Sequence, residues 1–306
     1  EIDGLSAAAA EEEEERAGWF SVYTQRGRCM RNTKWLFGMA VLIAGCVPAS
    51  GVTILEDVVY GHKAGMALTF DVYQPATPNG AGVVILNSGG WISPFYTLHT
   101  EDSGVLELLD YSEPKQVSAK ILTDRGFTVF NLRHSSVPKF SLPEVVTDVR
   151  IGLREILKRA VEFNVEPDRI GLWGASAGGH LSLLLATSQE IGPDEEHSDE
   201  PVARVSAVVA YFPVTDLESE RIAATNHVRE TYGLELFDML PGFDYHPNLD
   251  EELSPVTYAT GDDPPTLFIH GDQDRLAPLR QSEIMQASLS EAGATAEVRR
   301  RSPHRL

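Results

Sequence analysis

Ser176 sits between two glycines in Gly174-Ala175-Ser176-Ala177-Gly178, a turn built from very small side chains. A serine hydroxyl becomes a nucleophile only when a base takes its proton and a carboxylate orients that base. The chain must therefore supply an acid and a histidine further along. The stretch His270-Gly271-Asp272-Gln273-Asp274-Arg275-Leu276-Ala277-Pro278 offers two aspartates. Asp274 is preferred, because Asp272 falls in a tight turn where Gly-Asp tends to bond its own backbone. Of nine histidines, His304 is the only one after Asp274, and it follows Ala296-Glu297-Val298, a candidate last strand. Ser176, Asp274 and His304 then follow one another in a chain order that recurs among nucleophile–acid–base triads. The competing reading of residues 299–306 is a loose basic tail. His180 is expected to pack at a helix start and His270 to close its strand by hydrogen bonding.

Attack on a carbonyl also needs backbone N–H donors for the oxyanion, each worth about 3 kcal/mol in the transition state. One is expected from Ala177, directly after the nucleophile. The other is expected from Asn87-Ser88-Gly89-Gly90-Trp91, where Gly89 and Gly90 let the main chain approach a substrate. Trp91 would line the acyl or sugar pocket, or pack on its own loop.

The G-x-S-x-G pattern recurs by chance in about one chain in ten of this length, so its flanks carry the argument. Arg169-Ile170-Gly171-Leu172-Trp173 before it reads as a short apolar strand, and Gly179-His180-Leu181-Ser182-Leu183-Leu184-Leu185 after it as an apolar helix. Strand-to-helix is the setting in which a serine is presented on a strained elbow. Upstream, Met66 to Tyr73 alternates apolar and polar residues and pairs with Thr53 to Tyr60 as an antiparallel hairpin. Gly82 to Asn87, Phe127 to Leu132, Ile170 to Trp173, Val205 to Tyr211 and Pro265 to His270 are short apolar runs, as for strands covered on both faces. Helical spacing marks Val149, Leu153, Ile156, Leu157 and Ala160, with Pro143 in the first turn and Asn164 to Asp168 as the stop. Lys115 to Arg125 and Pro278 to Ala292 are further helices, stopped by Gly126 and Gly293. The alternation predicts an α/β fold: a mostly parallel central sheet, helices on both faces, and a small helical insertion at about 216–260.

With 25 basic against 45 acidic residues the formal charge is −20, which disfavours nucleic acid and other polyanions as partners. Five of the acids form one solvated run, Glu11 to Glu15. Residues 1–29 read as an upstream segment, with Met30 as the natural start. Arg31-Asn32-Thr33-Lys34, the apolar Trp35 to Ala44 and Val47-Pro48-Ala49 have the layout of a secretory signal peptide over 30–49. Ile43-Ala44-Gly45-Cys46 equally fits a lipoprotein leader, with Cys46 lipidated. Either way the expectation is export, to the periplasm, the medium or a membrane anchor. Cys29 and Cys46 are the only cysteines, so a domain over 52–306 would have neither disulfides nor thiolate metal sites.

Leu142-Pro143-Glu144-Val145-Val146-Thr147-Asp148-Val149, Pro167-Asp168-Arg169-Ile170, the elbow with Gly179-His180-Leu181, Asp262 to Asp272 and Pro278-Leu279-Arg280-Gln281-Ser282 occur in order. Together they resemble the α/β-hydrolase esterase/lipase group, and within it the bifunctional feruloyl and acetyl-xylan esterase-like domain, related to hormone-sensitive lipase. The resemblance covers about residues 55–306. It implies an α/β-hydrolase fold, carboxylic ester hydrolysis through an acyl-enzyme, and no metal or organic cofactor. It gives Ser176 as nucleophile, Asp274 as acid and His304 as base, with oxyanion donors at Gly89, Gly90 and Ala177. The substrate class it implies is an acetyl or feruloyl ester of a carbohydrate. Two features depart from the family: Asn87 and Ser88 replace the first two residues of its His-Gly-Gly-Gly-Trp loop, and two residues follow His304 where the family continues with a helix. The same fold and triad serve prolyl-oligopeptidase-like peptidases. A hydrolase scaffold whose histidine is out of reach would be a non-catalytic binding module.

Overall fold

The computed structural model describes residues 51–86, 89–93, 119–188, 204–219 and 247–302. The segment and leader expected over 1–49, Asn87, Ser88 and His304 lie outside the described residues. Eight strands form one sheet: β1 (Thr53–Lys63), β2 (Met66–Gln74), β3 (Gly80–Leu86), β4 (Thr128–Leu132), β5 (Val165–Ala175), β6 (Ala207–Tyr211), β7 (Thr266–Gly271) and β8 (Ala296–Arg301). Their order across the sheet is β1-β2-β4-β3-β5-β6-β7-β8. The first two are the expected antiparallel hairpin, and every neighbour pair from β4 onward is parallel. One edge of the sheet therefore collects the C-terminal ends of β3 to β8, where ligands of open α/β sheets bind. Among the described residues no helix is long and apolar enough to cross a membrane.

Side-chain alternation explains the two covered faces. Phe70 and Val72 of β2, Val84 and Leu86 of β3, and Phe130 and Leu132 of β4 point into one large cluster. Val145, Val149, Leu153 and Ile156 of α2 (Leu142–Lys158) and Leu181 and Leu184 of α3 (Ala177–Thr187) fill that cluster, as do Met285 and Leu289 of α5 (Arg280–Ala292). Tyr73, Ile85 and Val129, one residue out of phase, form a smaller cluster with Ala119 on the opposite face. There α1 (Lys120–Thr123) is a single turn, shorter than the helix expected over Lys115 to Arg125; residues 115–118 of that expectation lie outside the described residues.

One sequence expectation and one competing reading are corrected. Pro167 does not end a helix: α2 stops at Lys158, a 3-10 turn spans Ala160–Phe163, and left-handed Asn164 (φ 60°) leads straight into β5. Pro167 is tolerated because β5 bulges between the pairs Gly80↔Val165 and Gly82↔Ile170, so its missing N–H costs no ladder bond. Arg299 to Arg301 are not a loose tail, since β8 pairs through Arg301 with Gly271 of β7.

Of the insertion at 216–260, residues 220–246 lie outside the described residues. The rest forms α4 (Pro247–Glu252) and a 3-10 turn at Pro255–Tyr258. Its two ends are stitched together, with Val256 N–H donating to Thr215 O (3.1 Å) and Leu217 N–H to Ser254 Oγ (2.9 Å). The buried Gln281 of α5 clamps this root: its Oε1 accepts the N–H groups of Thr215 (2.7 Å) and Asp216 (2.8 Å).

Candidate active site

Ser176 occupies the elbow between β5 and α3, with φ 53° and ψ −122°. This region is close to glycine-only and costs on the order of 1–3 kcal/mol for other residues. Surrounding contacts hold it there. The Ser176 N–H donates to Tyr211 O at the end of β6 (2.9 Å), and the His180 N–H donates to Ser176 O (2.9 Å). The flanking glycines have a visible cause. A Cβ on Gly174 would collide with the Gly178 carbonyl and lie 2.7 Å from Ser182 Oγ. Both obstacles belong to the first turns of α3, so the chain can fold back this tightly only without a side chain at 174. Gly174→Ala is expected to destabilise the protein by about 3 kcal/mol, the upper end for overpacking, because the obstacle is backbone. Urea unfolding checks this; an unchanged midpoint would contradict the packing argument.

The loop after β3 stands beside the elbow, since Leu86 pairs with Gly174. Gly89 and Ile92 exchange two backbone hydrogen bonds (3.3 and 3.1 Å) around Gly90 and Trp91, whose φ values are 57° and 58°. The Gly89 N–H is thus already used. Among the described residues the N–H groups of Gly90 and Ala177 make no hydrogen bond. Trp91 is 7% exposed, and its indole N–H donates to His180 Nδ1 (3.0 Å); it is packed, not displayed. The loop is also tied to the residues after β4. The Val137 N–H donates to Trp91 O (3.3 Å), the His134 N–H to Ser93 Oγ (3.2 Å) and the Ser93 N–H to Ser136 Oγ (3.0 Å). That second loop is rooted by Arg133, whose guanidinium clasps Asp71 of β2 with two bonds (2.5 and 2.6 Å) and reaches Asp57 (2.8 Å).

The two aspartates behave opposite to the expectation that favoured Asp274. Asp274 is the one that bonds its own turn, with Oδ1 accepting the N–H groups of Leu276 and Ala277 (both 2.9 Å). Its Oδ2 accepts no hydrogen bond among the described residues and lies 4.0 Å from His270 Nε2. Asp272 continues the strand instead: its N–H donates to Arg301 O (3.1 Å), and its Oδ2 accepts the Ser302 hydroxyl (2.5 Å). Asp272 Oδ1 is buried and has no hydrogen-bond partner among the described residues. The turn starts one residue later than the Gly-Asp pair suggests, because β7 and β8 still pair at Gly271.

His270 and His180 have both ring nitrogens occupied. His270 Nε2 is 2.7 Å from Ala277 O and Nδ1 is 2.7 Å from Ser282 Oγ. His180 Nε2 is 2.7 Å from Leu253 O, opposite its Trp91 bond. A carbonyl only accepts, so each Nε2 carries the proton and each Nδ1 accepts. Burial lowers the pKa of both, and takes His180 to about 4 against the pull of the Leu253 carbonyl. His134 is lowered by burial too, and His62 lies on β1 at the far side of the sheet. His99, His197, His227 and His246 lie outside the described residues, as His304 does.

A depressed histidine pKa means the unfolded chain binds the extra proton first. Stability is then full above about pH 6.5 and falls as pH drops toward about 4. For His180 the window is worth about 3 kcal/mol. Urea unfolding at pH 7.5 and pH 4.5 is expected to show a fall that is smaller by about 2–3 kcal/mol in His180→Asn. Equal falls in both proteins would contradict it.

The Trp91–His180 link joins residues 89 apart and had no sequence signal beyond the apolar character of the helix start. The BD-FAE family model matches residues 70–289. Esterase LipQ of Mycobacterium tuberculosis is 29% identical over 176 residues, which are 56% of this chain and 40% of that protein. A probable isoprenylcysteine alpha-carbonyl methylesterase of Oryza sativa subsp. japonica is 23% identical, over 80% of this chain and 56% of that one. The chain thus spans about half the length of the curated relatives it matches. Among solved structures, a truncated carbohydrate esterase from gut microbiota superposes with a TM-score of 0.60 at 22% identity, covering 83% of this chain and 88% of its own. Apo Thermogutta terrifontis esterase 2 gives 0.57 at 20% identity, covering 83% and 84%. These likenesses show the fold, which is that of an α/β-hydrolase.

Proposed function

The chain belongs to the BD-FAE family, and on that premise we propose that it hydrolyses carboxylic esters through an acyl-enzyme on Ser176. The observation that carries this reading is the strained elbow, which presents Ser176 with two N–H donors on the adjoining turns, Gly90 and Ala177, that are unused among the described residues. Ser176 Oγ attacks the acyl carbon while His304 takes its proton. The oxyanion draws on the Gly90 and Ala177 N–H groups. Collapse expels the alcohol, protonated by His304, and water repeats the sequence to release the acid.

Three observations support the histidine and its partner. His180 and His270 are saturated by hydrogen bonds, so neither ring has a nitrogen for Ser176. His304 comes three residues after Arg301 in the sequence, and Arg301 ends β8 on the sheet edge that also carries the elbow and the Asp274 turn. Asp274 keeps one carboxylate oxygen for an imidazole while its own turn fixes the other.

The substrate we propose is a short acyl ester of a carbohydrate, acetyl or feruloyl, in keeping with the family and with the carbohydrate esterase among the fold neighbours. Purified protein should cleave p-nitrophenyl acetate and acetylated xylan or methyl ferulate, and leave peptide anilides intact. Preferential anilide cleavage would point to a peptidase, and inertness to all of them to a binding module. We further propose export, by signal-peptide cleavage or through lipidated Cys46; a native mature protein retaining residues 1–29 would overturn it.

A further inference from the structure

His180 stands where the nucleophile helix, the glycine loop and the insertion meet. Its main-chain N–H is bonded to Ser176 O at 2.9 Å, and its ring accepts the Trp91 indole N–H at 3.0 Å. The two rings meet edge to face, 5.4 Å between centroids and 88° between planes. On the other side the His180 Nε2–H donates to Leu253 O at 2.7 Å, which leaves Nδ1 as the acceptor. Trp91 and Gly90 are consecutive left-handed residues (φ 58° and 57°). Such a pair holds its shape only when fixed from outside. The Trp91 main chain is held by Val137 at 3.3 Å, and its side chain by His180.

We propose that His180 is a positioning residue that fixes the Gly90 turn relative to Ser176, through Trp91, so that the Gly90 and Ala177 N–H groups act on one oxyanion. His180 reaches both groups at once, through its backbone to the elbow and through its ring to the loop. The inference rests on the ester hydrolase reading above and adds the part that aligns its two donors. Misalignment of preorganised donors weakens the transition state more than the bound substrate, so its signature is in kcat and not in KM.

The test compares Trp91→Phe, His180→Gln and His180→Asn with wild type, reading kcat and KM on p-nitrophenyl acetate and Tm. Phenylalanine removes the indole donor. Glutamine keeps an amide near Nε2 for Leu253 but loses the acceptor at Nδ1, whereas asparagine places an oxygen near Nδ1 and abandons Leu253. Trp91→Phe and His180→Gln should lower kcat about tenfold or more with KM within about twofold. His180→Asn should keep severalfold more kcat than His180→Gln while melting no higher. A kcat that simply follows Tm across the three variants, or an unchanged kcat in Trp91→Phe, overturns the role and leaves the esterase reading standing. A folded wild type that hydrolyses no ester overturns that reading and this role with it.

Discussion

Ser176→Ala should lose at least about 10⁴-fold in kcat for ester hydrolysis while folding as well as wild type, whereas Ser176→Gly should be as inactive and measurably more stable. The loss follows from removing the only atom that forms the acyl bond; nucleophile deletions in comparable triads cost on the order of 10⁶-fold, with residual catalysis left to the remaining groups. The stability difference follows from φ 53° and ψ −122° at the elbow. A serine or alanine Cβ is strained there by about 1–3 kcal/mol, and glycine is not. Glycine returns part of that gain as unfolded-state entropy, about 0.5–1 kcal/mol. The net is about 1 kcal/mol, or roughly 2–4 °C in Tm for a domain of this size. A Ser176→Ala protein that still turns over would remove Ser176 from the mechanism. A Ser176→Gly protein melting below Ser176→Ala would show that the elbow stores no strain.

Asp274→Asn should reduce kcat by about 10⁴-fold, and Asp272→Asn by less than about tenfold. The turn geometry explains why an isosteric change is so costly. Asp274 Oδ1 is fixed by the N–H groups of Leu276 and Ala277. An asparagine must keep its oxygen there, and its NH₂ then replaces Oδ2. In the proposed triad the group offered to the His304 imidazole would then turn from acceptor to donor and hold that imidazole in the wrong tautomer. At 272 the carboxylate serves the end of the sheet, accepting the Ser302 hydroxyl while its N–H bonds Arg301 O. Asparagine retains an oxygen for Ser302. Steady-state kinetics of the two variants separate the assignments. Should Asp272→Asn prove the inactive one, the acid would be Asp272, whose buried Oδ1 has no partner among the described residues.

The sheet was legible because its strands are short, doubly covered and flanked by helices of clear period, so that Val84, Ile85 and Leu86 or Ala207 to Tyr211 admit few other readings. The elbow was legible because a steric demand forces its composition: with backbone packed against Gly174, only glycine fits. Pro167 misled as a helix stop, since nothing local reveals that β5 bulges away from β3 around it. The turn bond expected of Asp272 is made by Asp274 instead. Which aspartate bonds its turn depends on how far β7 pairs with β8, a contact about 30 residues away in sequence. The Trp91–His180 bond and the Arg133–Asp71 clasp are invisible to spacing for the same reason. Local pattern reports which residues a strand or turn will accept, and long-range pairing decides what they touch.

Mass spectrometry of the folded protein after treatment with a fluorophosphonate bears most directly on the Ser176 acyl-enzyme. The expected result is a single adduct, close to one per chain, on the peptide carrying Ser176, with parallel loss of ester hydrolysis and no adduct in Ser176→Ala or in denatured protein. An unmodified Ser176 in protein that goes on cleaving esters would contradict the account.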